Sequence, residues 1–415
     1  MPGLPAVQIP SGLPAPDADA AAHGARVQAM LLDRIRQAGG WLAFDAWMRA
    51  ALYEPGLGYY SAGSPKLHHG GDFTTAPETS PLFGQALAPQ VMQILQASHS
   101  RTVLEFGAGS GALAAALIPA LQALGHTVQY QILELSADLR ARQQTRLAPW
   151  ADQVQWLDQA PTAFSGCVLA NEVLDAMPAT LFRWDDQGAL QAMGVIADPA
   201  TRTAGTPPDA RPASPQAAQA ADGIPDSPFA WALRPAPADL AQALAPRMPP
   251  LPGYQSEINL QAEAWVRDLG RWLQCGAALL IDYGFPQAEF YHPQRLHGTL
   301  MCHFRHHAHD QALILAGLQD ITTHVDFTAM ADAALAGGLD VLGYTSQARF
   351  LMNAGLMDLI HAPGAAPEDR ARQMTALNTL LSEAEMGELF KVLALGRGMD
   401  GPLIGFMRGD RRDRL

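Results

Sequence analysis

Val103-Leu-Glu-Phe-Gly-Ala-Gly-Ser-Gly-Ala-Leu113 joins a short apolar run, carrying one acid at Glu105, to three glycines and an Ala/Leu-rich segment. Apolar run, glycine turn and helix, in that order, predict the ligand-binding corner of a doubly wound α/β sheet. In such a corner Gly107, Gly109 and Gly111 let backbone N–H groups approach a ligand, and the helix start presents free donors. Tyr130-Gln-Ile-Leu-Glu134 reads as the following strand and ends in a carboxylate 23 positions beyond Gly111. An acid at that place can accept both hydroxyls of a ribose, so the two elements together describe a nucleoside pocket.

The glycine spacing is G-x-G-x-G, whereas a dinucleotide site wants G-x-G-x-x-G, whose third glycine packs a helix beneath the pyrophosphate. Glu105, two positions before the first glycine, adds a negative group that repels pyrophosphate and suits a ligand with a cationic amino-acid end. The E-x-G-x-G pattern resembles motif I of the class I S-adenosylmethionine (SAM) methyltransferases. A structural turn without ligand and another nucleoside cofactor are the competing readings of this loop taken alone.

Organisation follows from the periodicity around the motif. Between residues 101 and 184 strands at 103–106, 128–133, 154–157 and 167–170 alternate with helices at 112–124 and 137–147, which implies a parallel sheet with crossover helices. Upstream, helices are expected at 24–37 and 42–52, then an irregular glycine- and proline-bearing loop to Ser80. Ser80-Pro81 is an N-cap and N1 pair for a helix over 82–96. Downstream, Pro, Ala, Asp and Ser interrupt the pattern at 198–228 and 235–252, read as a linker-like insertion. Helices at 260–273, 329–336, 346–354 and 371–381, with strands at 277–281, 321–327 and 390–395, complete the pattern. The expected divisions are a disordered leader (1–23), an N-terminal helical region with a cofactor-covering loop (24–100), a first part of the Rossmann core (101–196), the insertion (197–252) and a second part of the core (253–415).

Across 415 residues the net charge is −13 and no Lys/Arg block tracks phosphates, which argues against a nucleic-acid partner. Cys167, Cys275 and Cys302 match no disulfide framework, redox motif or zinc spacing. Residues 1–23 lack the basic and apolar regions of a signal peptide, and no run of about 20 apolar residues is present to span a membrane. A cytoplasmic protein is expected.

Methyl transfer from a sulfonium is an in-line substitution with a built-in leaving group, so a protein mainly positions and desolvates the acceptor. Acids at the C-terminal ends of strands are the groups to look for. Asn171-Glu172 ends the apolar run from Cys167, and Asp175 follows three residues on. If the chain turns helical there, Glu172 and Asp175 share one face and can clamp a guanidinium; a helix-capping cluster is the alternative. Asp72, Phe73, Thr74 and Thr75 lie in a loop shaped to close over a donor, or to serve as plain structure. Asp158 ends the third strand, where it can face an adenine or cap a helix. Cys302-His-Phe-Arg-His-His-Ala-His309 fits no standard metal pattern and reads as a polar, basic loop. His324 and Asp326, alternate residues of an expected strand, can shape an acceptor pocket or form a structural pair.

Several segments together resemble the MidA-type methyltransferase family, whose mitochondrial member is an assembly factor for respiratory complex I. They are Tyr53-Glu-Pro-Gly-Leu-Gly-Tyr-Tyr60, Gly71-Asp-Phe-Thr-Thr-Ala-Pro-Glu-Thr-Ser80, Glu105-Phe-Gly-Ala-Gly-Ser-Gly111, Asn171-Glu-Val-Leu-Asp-Ala-Met-Pro178, Asp282-Tyr-Gly284, His324-Val-Asp-Phe327 and Gly387-Glu-Leu-Phe-Lys-Val-Leu393. The resemblance implies a class I, Rossmann-like doubly wound α/β fold with an N-terminal helical extension and inserted segments. It also implies SAM as cofactor, a protein substrate, and transfer to an arginine of a complex I subunit, with Glu172 similar to a guanidinium-binding acid. SAM contacts are then expected from Glu105, Gly107, Gly109, Gly111, Glu134, Asp158, Asn171 and the loop at Asp72–Thr75. The loop here is G-A-G-S-G where the family often has G-P-G-T-G, and residues 197–252 carry nothing over. A non-catalytic assembly chaperone and a small-molecule methyltransferase remain the other readings.

Overall fold

The computed structural model describes residues 4–62, 75–199, 223–360 and 367–415. The chain forms two compact units, one of residues 1–73, 178–259 and 291–323, the other of residues 74–177, 260–290 and 324–415.

The second unit holds the glycine motif. Its strands are β1 (Thr102–Phe106), β2 (Gln129–Leu133), β3 (Val154–Leu157), β4 (Phe164–Asn171), β5 (Leu273–Phe285), β6 (Asp340–Ser346) and β7 (Phe390–Arg397). They lie in the order β3-β2-β1-β4-β5-β7-β6. The pairs from β3 to β5 are parallel, and β7 runs antiparallel to both of its neighbours. Short Val325–Asp326 adds in parallel at the end of β5.

Both faces of this sheet are buried, so its central strands read as continuous apolar runs. Val103, Cys167, Leu169, Leu279 and Ile281 pack on one side with the helices Pro81–Ala97 and Ala112–Ala123. Leu104, Phe106, Val168, Ala170 and Leu280 pack on the other with Leu260–Trp272 and Phe327–Ala336. Strand order reverses between β1 and β4, and a ligand crevice forms outside the carboxyl ends of strands at such a reversal.

The first unit is antiparallel. Leu190–Ala197 pairs with Thr180–Trp184, Phe229–Pro235 and Leu42–Ala43, and Gln255–Ile258 pairs with Thr180–Trp184. A second sheet joins His307–His309, Met301–Phe304 and Asp320–Thr322. The helices Ala18–Gln37 and Phe44–Tyr53 supply Val27, Leu31, Phe44, Trp47 and Met48 to a core shared with Val195 and Phe229.

Several expectations are corrected. The first helix starts at Ala18 and not at Gly24, because Asp17 accepts the Ala20 N–H at 2.9 Å and caps an alanine-rich first turn; residues 18–23 are therefore not a disordered leader. Residues 180–197, 255–258 and 301–322 leave the expected Rossmann core for the antiparallel unit. The insertion carries a strand, Phe229–Pro235, and a helix, Ala238–Leu244, while its residues 200–222 lie outside the described ones. The strand expected over 321–327 breaks, Asp320–Thr322 pairing with Met301–Phe304 and Val325–Asp326 with β5. β6 went unread, since its first three residues are exposed or half-buried and its last four are all buried.

At Gly84 the helix Pro81–Ala97 meets Ala112–Ala123 so closely that an added Cβ would lie 2.7 Å from the Ala116 Cβ. Gly84→Leu should therefore overpack this contact and cost about 1–3 kcal/mol, read as a lowered urea midpoint.

Candidate active site

Beyond β1 the backbone turns left-handed at Gly107, Gly109 and Gly111, with φ of 60°, 54° and 82°. Among the described residues, a Cβ added at Gly109 would meet nothing within 4 Å. Conformation, not crowding by the described residues, thus demands glycine there. Gly111 precedes the helix Ala112–Ala123 and so brings its first-turn N–H groups to the loop.

Two acids stand on the strands beside the loop. Glu105 is buried, and its Oε2 accepts the Tyr130 hydroxyl at 2.6 Å. Burial pushes its carboxyl up to about 7, against the pull of the Tyr130 bond, and the nearby Glu134 charge adds to the rise. Glu105 is thus held within the core at the end of β1, just before the glycine loop. Glu134, at the end of β2, is half-buried; its Oε1 accepts the Ser136 N–H at 2.9 Å and its Oε2 accepts Gln143 Nε2 at 3.0 Å. Burial raises its pKa as well. A carboxylate has about four acceptor directions, so these bonds leave capacity for a ribose diol.

The covering loop is described only from Thr75 onward; Asp72, Phe73 and Thr74 lie outside the described residues. Thr75 precedes the short helix Ala76–Thr79, where Glu78 accepts from Ser110 of the glycine loop and pairs with Arg146 at 3.3 Å. Asp158 neither caps a helix nor stays sheltered: its side chain is 88% exposed and pairs with Arg140 at 2.8 Å.

At the end of β4 the chain does not become helical. Glu172 adopts φ 53°, a left-handed conformation that costs a non-glycine residue about 1–2 kcal/mol. Its N–H donates to Ile281 O at 2.9 Å, and its Oε1 accepts Asn171 Nδ2 at 3.0 Å. The following turn is held by Asp282, whose Oδ2 accepts the N–H groups of Leu174 at 3.0 Å and Asp175 at 3.3 Å. Asp175 is itself buried, so it does not pair with Glu172 on a helix face as expected. Burial pushes both Asp175 and Asp282 up, and the charges of Asp175 and Glu172 raise Asp282 further. Carboxyl groups gathered so closely cannot all ionise unless a cation joins them.

His324 lies just before the short strand Val325–Asp326, so the two residues do not alternate along one strand. Asp326 Oδ1 accepts the Ala329 N–H at 3.1 Å and caps the helix Phe327–Ala336. The His324 ring stacks on Phe285 at 5.3 Å and meets Tyr283 edge-on at 5.0 Å. The histidine-rich run is a hairpin of Met301–Phe304 and His307–His309, turning through left-handed Arg305 and His306. Among the described residues no three His, Cys, Asp or Glu side chains gather as a metal site.

A left-handed glycine loop, a half-buried strand-end acid and an acidic cluster at the next strand suit a nucleoside ligand that carries positive charge. The family described as "Putative S-adenosyl-L-methionine-dependent methyltransferase" matches residues 86–345. The chain belongs to this family of SAM-dependent methyltransferases, the MidA type. A solved structure of a "likely methyl transferase" from Burkholderia thailandensis, bound to S-adenosyl-homocysteine, is 45% identical, with a TM-score of 0.85 over 97% of this chain and 100% of that one. Among curated relatives, the mitochondrial protein arginine methyltransferase NDUFAF7 of Danio rerio is 26% identical over 86% of this chain and 84% of its own. The Drosophila melanogaster homologue is 25% identical over 97% and 94%.

SAM is the cofactor of this methyltransferase, and the residues present fit it: left-handed glycines at a helix start and Glu134 with acceptor capacity to spare. When bound, SAM supplies an electrophilic methyl on a sulfonium; the protein orients it and keeps water away. Two residues of the site went unread as such in the sequence. Asp282 carried a signal, since Asp282-Tyr-Gly284 ends an apolar strand much as Asn171-Glu172 does. Gln143 carried none, being one glutamine in a polar helix.

Gly109→Val forces a β-branched residue into the left-handed region and should abolish the calorimetric isotherm for SAM. Glu105 yields a pH test. Its folded pKa of about 7 lies above the usual 4.5, so its contribution is fully present below about 4.5 and is lost as pH rises through 7. The loss reaches about 3 kcal/mol at most. Glu105→Gln, which still accepts from Tyr130, should gain stability relative to the unsubstituted protein between pH 5 and pH 8 in urea titrations.

Proposed function

We propose that this methyltransferase modifies an arginine side chain of a protein, with a respiratory-complex subunit as the acceptor. Its core is then a Rossmann-like doubly wound sheet, a reading supported by the reversal of strand order between β1 and β4. The observation that carries the acceptor is the gathering of Glu172, Asp175 and Asp282 at the ends of adjacent strands, beside the glycine loop: a side chain at Gly107 would already lie 3.2 Å from Val173. Such a cluster is stabilised by a cation, and a guanidinium offers N–H donors in a planar fork that matches a carboxylate. The names of the curated relatives, protein arginine methyltransferases, agree with this class of acceptor.

In this reading Glu172 accepts two guanidinium N–H groups, localises the positive charge and aims a nitrogen at the methyl carbon. Asn171 fixes the Glu172 carboxylate from one side. Asp282, through the N–H groups of Leu174 and Asp175, holds the turn that keeps Glu172 in its left-handed conformation. Glu172→Gln should leave SAM binding intact and lower transfer to arginine-bearing respiratory subunits by two orders of magnitude or more (~10²-fold), followed by mass spectrometry of the acceptor. Undiminished transfer in that variant would remove the guanidinium clamp.

A further inference from the structure

We infer that Gln143 is a positioning residue for the nucleoside part of SAM, locking the glycine loop, the ribose carboxylate and the end of β3 into one ligand-ready arrangement. The helix Ala137–Arg146 is otherwise polar and half-open, yet the one residue it buries completely is a glutamine. Burying an amide is costly unless its hydrogen bonds are met, so its place there calls for a reason.

The bonds supply it. Gln143 Nε2 donates to Gly109 O at 2.8 Å and to Glu134 Oε2 at 3.0 Å, while Gln143 Oε1 accepts Trp156 Nε1 at 2.9 Å. The indole nitrogen can only donate and the Gly109 carbonyl can only accept, so the amide cannot be turned over without losing both. Three elements that come from separate parts of the chain thus meet at one planar group. Gly109 lies in the loop after β1, Glu134 after β2, and Trp156 on β3.

The consequence for binding is preorganisation. Glu134 is held by Gln143 and the Ser136 N–H before any ligand arrives, so its remaining acceptor directions are set for a diol. The Gly109 carbonyl, tied back to Gln143, fixes the Gly109–Ser110 peptide unit, while the Gly107 and Gly111 N–H groups are held by Leu133 O at 3.1 Å and Ala108 O at 2.8 Å. Fixing these groups in advance spares the ligand the cost of ordering them. Gln143 itself need not touch SAM.

Calorimetric titration with S-adenosylhomocysteine at pH 6 and pH 8 tests this, each variant being compared with the unsubstituted protein at the same pH. Gln143→Met, similar in volume but without donors, should weaken binding roughly ten- to a hundredfold at both pH values, and should also lower the melting temperature because it strands the Gly109 carbonyl and the Trp156 Nε1 donor. Gln143→Glu should bind worse than Gln143→Met at pH 8, where two carboxylates face each other. It should recover towards pH 6, where one carboxyl takes up a proton and donates as the amide does. Trp156→Phe keeps the Glu134 bond but frees the amide to turn, and should lose severalfold. Binding by Gln143→Met equal to the unsubstituted protein would overturn the assignment. So would a loss in Gln143→Glu that does not vary with pH, the mark of a merely structural role. Should Gln143→Met fail to fold, the pH dependence of Gln143→Glu and the loss in Trp156→Phe decide the question.

Discussion

Carboxyl groups held by neutral donors at the C-terminal edge of a parallel sheet are the constraint on which the rest of this structure turns. Glu105 is bonded by a tyrosine hydroxyl, Glu134 by a backbone N–H and an amide, and Asp282 by two backbone N–H groups. A neutral donor satisfies an oxygen without supplying a counter-charge, so a cationic ligand is what favours the ionised form of these carboxyls. The cost is visible in the raised proton affinity of Glu105, Glu134, Asp175 and Asp282, each driven first by burial. The fold carries that cost because the sheet is buried on both faces by helices, and the apolar core of this unit is large.

Backbone conformation is the second expression of the same constraint. The loop after β1 and the turn after β4 both bend through left-handed residues, three glycines in one case and Glu172 in the other. Glycine makes such a bend without strain, whereas Glu172 is kept there by bonds to Ile281, Asn171 and, through the next turn, Asp282. A strained non-glycine residue so firmly held at the end of a sheet strand marks a side chain whose direction matters more than its conformational comfort. The excursions of the chain into the antiparallel unit leave from the segments that follow β4 and β5, at Pro178 and Tyr291, and return at Leu260 and His324. Strand-end loops accept long insertions because their backbone is not part of the ladder.

How much of this was legible in the residues varies by element. The glycine motif, Glu134 and the alternation of β1 to β4 with their helices were readable, since apolar runs of strand length separated by amphipathic helices have one economical arrangement. The acidic turn at Glu172 was located but given the wrong local shape. Nothing in Val173-Leu-Asp-Ala-Met177 forbids a helix; the bonds from Asp282, more than a hundred positions away, prevent it. Phe229–Pro235 was hidden by its proline- and alanine-rich setting, and β6 by burial that depends on neighbours and not on its own pattern. The single strand expected over 321–327 was drawn across a break that only the two sheets reveal.

By itself the sequence determined the class of site: a glycine turn between strand and helix, with a strand-end acid at Glu134 after the next strand, is written in local runs of residues because each demand there is local. The tertiary structure alone decided the strand order with β7 inverted between β5 and β6, the grouping of Asp175 with Asp282, and the junction at Gln143. Those features arise where distant segments meet, and their energies come from burial and from hydrogen bonds between partners that no local pattern can pair.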